Sequence, residues 1–200
     1  MENSNLSDDL KYIRTMIERT QKQIDPGAPI MIMWGFVCLI GYLGTHYLAA
    51  KSMWQEVNLL WMILGGSGAL ITLFYYFRLY KKNISQGVSS YVGKQIGMIW
   101  IVLVVFGFIW EQLILSSSNL ILPSIMYLWA GIYCIALSMM GIVYSKEWLY
   151  AGILVFVGMI AAFFMKEFAY IILGISMCLG CVIPAVIAQN RLRKLEKING

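Results

Sequence analysis

The side chains best suited to chemistry in this apolar sequence are one histidine and one carboxylic acid. His46 is the only histidine, and Glu111 follows fifteen residues that carry no charge. Tyr42 lies one helical turn from His46, and Tyr127 belongs to a neighbouring apolar segment. An ionised carboxylate inside a membrane is destabilising unless it is paired, protonated or hydrated. The sequence therefore predicts an intramembrane polar site formed by His46, Glu111, Tyr42 and Tyr127.

Two interpretations of this site remain open. A paired His46 and Glu111 could relay protons or gate a cavity, and Gln112 could also reach them. Alternatively, both side chains extend to the lipid headgroups near an outer interface, or form one structural hydrogen bond. A single histidine and a single carboxylate are too few for a transition-metal site without further ligands. We expect no metal and no other cofactor.

The remaining motifs do not indicate catalysis. Cys178 and Cys181 form a CxxC, but a redox CxxC depends on a helix N-terminus, and this pair falls inside an apolar segment. The run Gly65 to Gly68 resembles the GxSG motif of intramembrane serine proteases. However, His46 lies at the outer end of another segment, beyond hydrogen-bonding reach of Ser67. We therefore expect a protein that is not an enzyme.

Composition places these residues in an all-α membrane protein. The 200 residues are 60% hydrophobic and 12% charged, more apolar than one small water-soluble core can bury. A helix needs about 20 apolar residues to cross a bilayer. Six segments meet that length: Pro29 to Ala49, Val57 to Phe77, Gln95 to Leu115, Leu120 to Val143, Trp148 to Met165 and Phe168 to Gln189.

The basic residues predict how these spans are oriented. If the N-terminus lies inside, thirteen of the fifteen Lys and Arg residues fall on the cytoplasmic side, and only Lys51 and Lys166 lie outside. An even number of spans then leaves both termini in the cytoplasm. The net charge of +5 indicates orientation and contact with anionic lipid headgroups, and not nucleic acid. We expect a multi-pass protein of a plasma membrane, namely the prokaryotic cytoplasmic membrane.

The first 28 residues predict a cytoplasmic amphipathic helix and a linker. Leu10, Ile13, Ile17 and Ile24 recur three, four and seven residues apart and so share one helical face. This seam docks on the protein's own cytoplasmic face, lies on the bilayer or receives a partner helix. The chain thus divides into residues 1–28, a transmembrane domain at 29–189, and a basic cytoplasmic tail at 190–200.

Two features of the spans suggest movement or transport. Pro184 removes the backbone hydrogen bond to Gly180, so these two residues predict a hinge in the last span. In addition, Trp34 with Cys38 in the first span resembles the spacing of Trp129 with Cys134 in the fourth. Trp61 with Gly65 matches Trp148 with Gly152. These matches suggest an inverted repeat of three plus three helices, as found in transporters.

These observations support two hypotheses of function. The first is an integral membrane regulator or interaction subunit in a helical bundle, whose N-terminal helix binds a cytoplasmic protein or a second copy of the chain. The second is a small transporter or channel that uses the inverted repeat and the polar site of His46 and Glu111. Polar groups are scarce near the middle of the predicted spans, which favours the first.

Overall fold

The protein is a bundle of six helices that are long and apolar enough to cross a membrane. The computed structural model describes residues 27–85, 91–116 and 123–199, which are almost entirely helical. The predicted partner-binding face of Leu10, Ile13, Ile17 and Ile24 lies outside the described residues. The helices are α1 (Ala28–Ala50), α2 (Trp54–Ser85), α3 (Tyr91–Ser116), α4 (Pro123–Val143), α5 (Lys146–Phe164) and α6 (Ala169–Asn199), with a 3-10 helix (Lys166–Phe168) before α6.

Local sequence explains where α1 begins and ends. Pro29 occupies the first turn, where its missing N–H is not needed. At the other end, Ser52 has a φ of 58°. The N–H of Ser52 donates to the carbonyl of Ala49, and the N–H of Met53 donates to that of Leu48. This is a Schellman motif, and it turns the chain directly into α2.

The helices pack in the spatial order α2, α1, α6, α5, α4, α3. Helices that are neighbours in this spatial order run antiparallel. As residue numbers rise along one helix, the numbers of the residues that it contacts on its neighbour fall. In α1, Gly35 faces Cys181 of α6, whereas Tyr42 faces Gly174 of that helix. The most extensive interface joins α1 to α6, which are the first and last spans. The first and last described spans are therefore packed together, whereas α2 and α3 form no comparable interface among the described residues.

Glycines set the close spacing of the central helices α1, α4, α5 and α6. A Cβ on Gly35 would lie 3.1 Å from the Cβ of Cys181, and a Cβ on Gly180 would lie 2.9 Å from a methyl of Val155. Gly152 in turn faces the side chain of Ser138 in α4. Without a hydrophobic drive between helices in lipid, such close backbone approach is what stabilises their association.

Helices α2 and α3 lie at the periphery. In the most apolar stretch of 18 residues in each of these helices, 11% of the residues are buried, compared with 33% to 50% in the corresponding stretches of the other four spans. Large side chains such as Phe74, Phe77 and Met98 are exposed along these two helices. Helix α2 has 32 residues, and a helix of that length extends about 48 Å, well beyond the roughly 30 Å hydrocarbon layer.

We predict that Gly152→Ala destabilises the bundle by about 1–3 kcal/mol, the usual range for overpacking. The added methyl would meet Ser138 and, at 3.0 Å, the Cys134 carbonyl. Thermal unfolding of purified protein in detergent would measure this loss. Gly97→Ala is the matched control, because a Cβ at Gly97 meets nothing within 4 Å. Equal stability of the two variants would contradict this account of the packing.

Candidate functional site

Glu111 lies on the last turns of α3 and contacts α4. Its Oε2 accepts a hydrogen bond of 3.2 Å from the indole Nε1 of Trp129. The Trp129 ring also meets Phe108 edge-to-face, with ring centroids 5.3 Å apart. Glu111 and Trp129 are half-buried, whereas Phe108 is exposed. The Glu111 carboxylate thus lies between the N–H edge of the Trp129 ring and the exposed surface of α3.

Gly107 allows Trp129 to approach α3 closely. A Cβ on Gly107 would lie 3.1 Å from the Trp129 ring, so a larger residue would push the ring aside. Gly107 precedes Glu111 by one helical turn and therefore lies on the same face. The glycine makes room for the ring, and the ring supplies the donor to the acid.

The structure does not bring His46 and Glu111 together. His46 is half-buried near the end of α1, and α1 packs against α2 and α6, whereas α3 packs against α4. Tyr42, one turn from His46, points into the core instead. Its hydroxyl donates a 2.8 Å hydrogen bond to the Met126 carbonyl of α4.

Tyr127 lies close to Tyr42 and Tyr170. These three tyrosines come from α4, α1 and α6 and lie near the end of the bundle where α1 ends and α6 begins. The predicted four-residue site therefore divides into three places: Glu111 with Trp129, Tyr42 with Tyr127 in the core, and His46 near the end of α1.

A group of thiols lies at mid-depth between α1 and α6. Cys38, Cys178 and Cys181 are buried free thiols that interact with one another. The Tyr133 hydroxyl of α4 interacts with the Cys38 thiol. In the described ranges, no group of three or more His, Cys, Asp or Glu side chains could hold a metal ion. The thiols fill the narrow space opposite Gly35.

Each peripheral helix is held to the core by two tryptophan N–H groups, one from each side of the interface. Between α1 and α2, Trp34 donates to Thr72 at 3.0 Å and Trp61 donates to Thr45 at 2.9 Å. Between α3 and α4, Trp129 donates to Glu111, and Trp100 donates to the sulfur of Met140 at 3.4 Å. Three of the rings pack on a glycine of the facing helix: Trp61 on Gly41, Trp34 on Gly68, and Trp129 on Gly107.

The predicted hinge lies inside one continuous helix. Pro184 is fully buried, and α6 continues past it to Asn199. Beyond Pro184, Arg191 forms an ion pair with Glu147 at the start of α5. Next to Glu147, the indole N–H of Trp148 is buried and finds no hydrogen-bond partner within the described part of the chain. Whether α6 bends at Gly180 and Pro184 stays a prediction.

The helix packing does not favour the inverted repeat. Such a repeat would pair α2 with α5 and α3 with α6, so an α2–α3 interface should match the α5–α6 interface. Helices α5 and α6 pack extensively, whereas α2 and α3 form no comparable interface among the described residues. In addition, Trp34 of α1 bonds to the helix after it, and Trp129 of α4 bonds to the helix before it.

Comparison with protein families, characterised proteins and solved structures gives no match to this chain. The contacts between α3 and α4 and between α1 and α2 bring in residues that the sequence did not assign to a polar site, among them Trp129, Phe108 and Thr45. One signal could have identified Trp129: in an antiparallel hairpin centred midway between Ser116 and Pro123, Glu111 lies opposite residue 128, next to Trp129.

We predict that Thr45 and Trp61 are energetically coupled. The buried Thr45 hydroxyl accepts from Trp61 and donates to the Gly41 carbonyl at 2.7 Å. Thr45→Val leaves the Trp61 N–H without its partner. A double-mutant cycle with Trp61→Phe, read by unfolding in mixed micelles, should give a coupling of about 0.6–1.7 kcal/mol, as for other intramembrane hydrogen bonds. Additive effects would show that the bond contributes nothing to stability.

Proposed function

We propose that this protein is a non-enzymatic integral membrane interaction subunit, which holds a cytoplasmic N-terminal helix at a membrane-embedded scaffold. The helix face of Leu10, Ile13, Ile17 and Ile24 would bind a cytoplasmic protein or a second copy of the chain. The observation that carries the proposal is the division of the bundle into a tightly packed core and two peripheral helices with largely exposed faces.

The composition of the core supports a scaffold. Among the described residues, the buried polar side chains of the core are Thr45 and Ser176. Each hydroxyl donates a hydrogen bond to a backbone carbonyl of its own helix. The other core residues are apolar or aromatic. A path for ions or polar solutes is normally lined by polar groups near the bilayer centre. This core is built for packing.

The peripheral helices support lateral interaction. Among the described helical glycines, eleven would contact a neighbouring helix if they carried a Cβ, but Gly65, Gly66 and Gly97 meet nothing within 4 Å. All three belong to α2 or α3. Glycine in a helix interior is destabilising by about 0.5–1 kcal/mol relative to alanine, and small residues are enriched where membrane helices meet. The open space beside these glycines on α2 and α3 supports contact with a partner helix.

The charged end of the bundle supports the proposed orientation. Exposed basic residues gather where α2 and α6 end and α5 begins: Arg78, Lys81, Lys146, Arg191, Arg193 and Lys194. We call this the basic end. Anionic lipids concentrate in the cytoplasmic leaflet, and each basic residue near that surface contributes about 1 kcal/mol of attraction. We infer that the basic end and both termini face the cytoplasm, in contact with anionic headgroups.

The partner prediction is tested with tagged full-length protein purified from cross-linked cells. We expect a defined hetero- or homo-assembly that is lost when residues 1–25 are removed. We expect the same loss in Ile13→Asp/Ile17→Asp, because two carboxylates would disrupt the apolar face. The size of the purified complex, measured by light scattering, gives the result.

The matched control is Thr15→Asp/Lys22→Gln. It lowers the net charge by the same amount on the opposite side of the predicted helix, and it should keep the assembly. The proposal is wrong if Ile13→Asp/Ile17→Asp assembles as the wild type does.

The orientation is tested by labelling single cysteines in a variant whose four native cysteines are replaced by alanine. With a membrane-impermeant maleimide on intact cells, Gln55→Cys should be labelled, because Gln55 is exposed at the end opposite the basic end. Lys194→Cys should be labelled only after the membrane is permeabilised. The reverse pattern would mean that the basic end faces outward.

A further inference from the structure

Glu111 is the only charged residue in a long part of the chain. From Gln95 to Ser145, the sequence contains no other Asp, Glu, Lys or Arg and no histidine. This stretch includes most of α3, all of α4 and the connection between them. Helix α3 packs on α4, and the basic residue on these two helices is Lys94, seventeen residues before Glu111 and therefore roughly 25 Å away along α3.

The two basic residues at the same end of the bundle are also placed elsewhere. Lys51 lies over the Tyr47 ring, 4.2 Å from its centroid, and bonds to the Tyr47 hydroxyl. Lys166 belongs to the 3-10 helix between α5 and α6. The described residues thus provide Glu111 with a neutral donor, Trp129, and with no positive charge.

Aromatic rings flank the acid on the lipid-facing side. Phe108 lies one turn before Glu111 on the same face of α3 and is 56% exposed. Trp129 presents its N–H edge to the carboxylate and meets Phe108 edge-to-face. Aromatic faces attract ammonium groups, and quaternary ammonium ligands are recognised by such rings. A carboxylate beside two rings adds a full opposite charge.

The surroundings also suit an aliphatic tail. Val105 and Ile109 are exposed on α3 close to Phe108 and form part of an apolar surface facing the hydrocarbon layer. A molecule that reaches Glu111 from the membrane would lay its apolar part along this surface. Its head would meet the carboxylate and the aromatic ring faces, both of which attract a positive charge.

We propose that Glu111, Trp129 and Phe108 form a binding site for a cationic amphiphile, an alkylammonium whose single positive charge pairs with Glu111. The site favours an occupant without a phosphate, because a zwitterionic phospholipid would bring an anionic phosphate near Glu111. No basic side chain between Gln95 and Ser145 would compensate that negative charge. The site goes beyond the proposed interaction subunit, since it does not involve the N-terminal helix.

The test is binding of hexyltrimethylammonium to the full chain in maltoside micelles, which contain no ammonium group. Saturation-transfer NMR on the trimethylammonium protons gives the dissociation constant, with empty micelles as background. We expect saturable binding to the wild type, with hexyl sulfate failing to compete. Glu111→Gln should weaken binding about tenfold or more, because it removes the charge and keeps the shape.

Two further variants separate the site from general effects on folding. Glu167→Gln removes an exposed carboxylate at the same end of the bundle and should bind like the wild type. Phe108→Leu replaces an exposed ring by an apolar chain, and it should weaken binding about threefold through loss of the cation–π contact. Thermal unfolding of Glu167→Gln should match the wild type, and Phe108→Leu should still unfold cooperatively, although it loses the ring contact with Trp129.

Three results would overturn the proposal. Binding that does not exceed that of empty micelles would remove the site, and equal binding by Glu111→Gln would remove the acid from it. Competition by dihexanoylphosphatidylcholine as strong as that by hexyltrimethylammonium would replace the cationic amphiphile with a lipid headgroup. None of these measurements involves a protein partner, so they test the binding site independently of the proposed interaction subunit.

Discussion

The architecture depends on the reciprocal tryptophan contacts that attach α2 and α3 to the core. Trp61 and Trp34 hold α2, whereas Trp129 and Trp100 hold α3. A tryptophan can do this because its ring is flat enough to lie on a glycine and its N–H reaches an acceptor at the same time. In lipid, an unpaired N–H is destabilising, so each contact combines packing with hydrogen bonding at one position.

This arrangement explains why two kinds of helix coexist in one small bundle. The central helices approach one another over glycines along much of their length. The peripheral helices touch the core along one seam each and expose their remaining surface. Helices α2 and α3 therefore offer a larger share of their surface to lipids or other membrane helices than the other four spans do. The Glu111 site lies on one of these seams, where α3 meets α4.

Much of the fold followed from composition alone. All six predicted spans are confirmed as apolar helices, because a bilayer leaves little choice for a segment of about 20 apolar residues. The packing order could not be predicted, since hydropathy says how long a helix is and not which neighbour it meets. The sequence analysis placed Glu111 near His46 because their depths match. Depth says nothing about position around the bundle: Glu111 lies on α3 and bonds to Trp129 of α4, whereas His46 lies on α1, which packs mainly against α2 and α6.

The extensive interface between α1 and α6 has a consequence for how the protein matures. Among the six described spans, α1 is synthesised first and its main packing partner, α6, last. Domains emerge at about 5–20 residues per second during translation, so α1 waits roughly 5–25 s before α6 begins to appear. During that time Gly35 and Tyr42, which face α6 in the finished bundle, remain open to lipid or to the insertion machinery. Completion of the core is therefore a late, post-insertion event, and a chain truncated before Ala169 would leave its earliest helix without its principal neighbour.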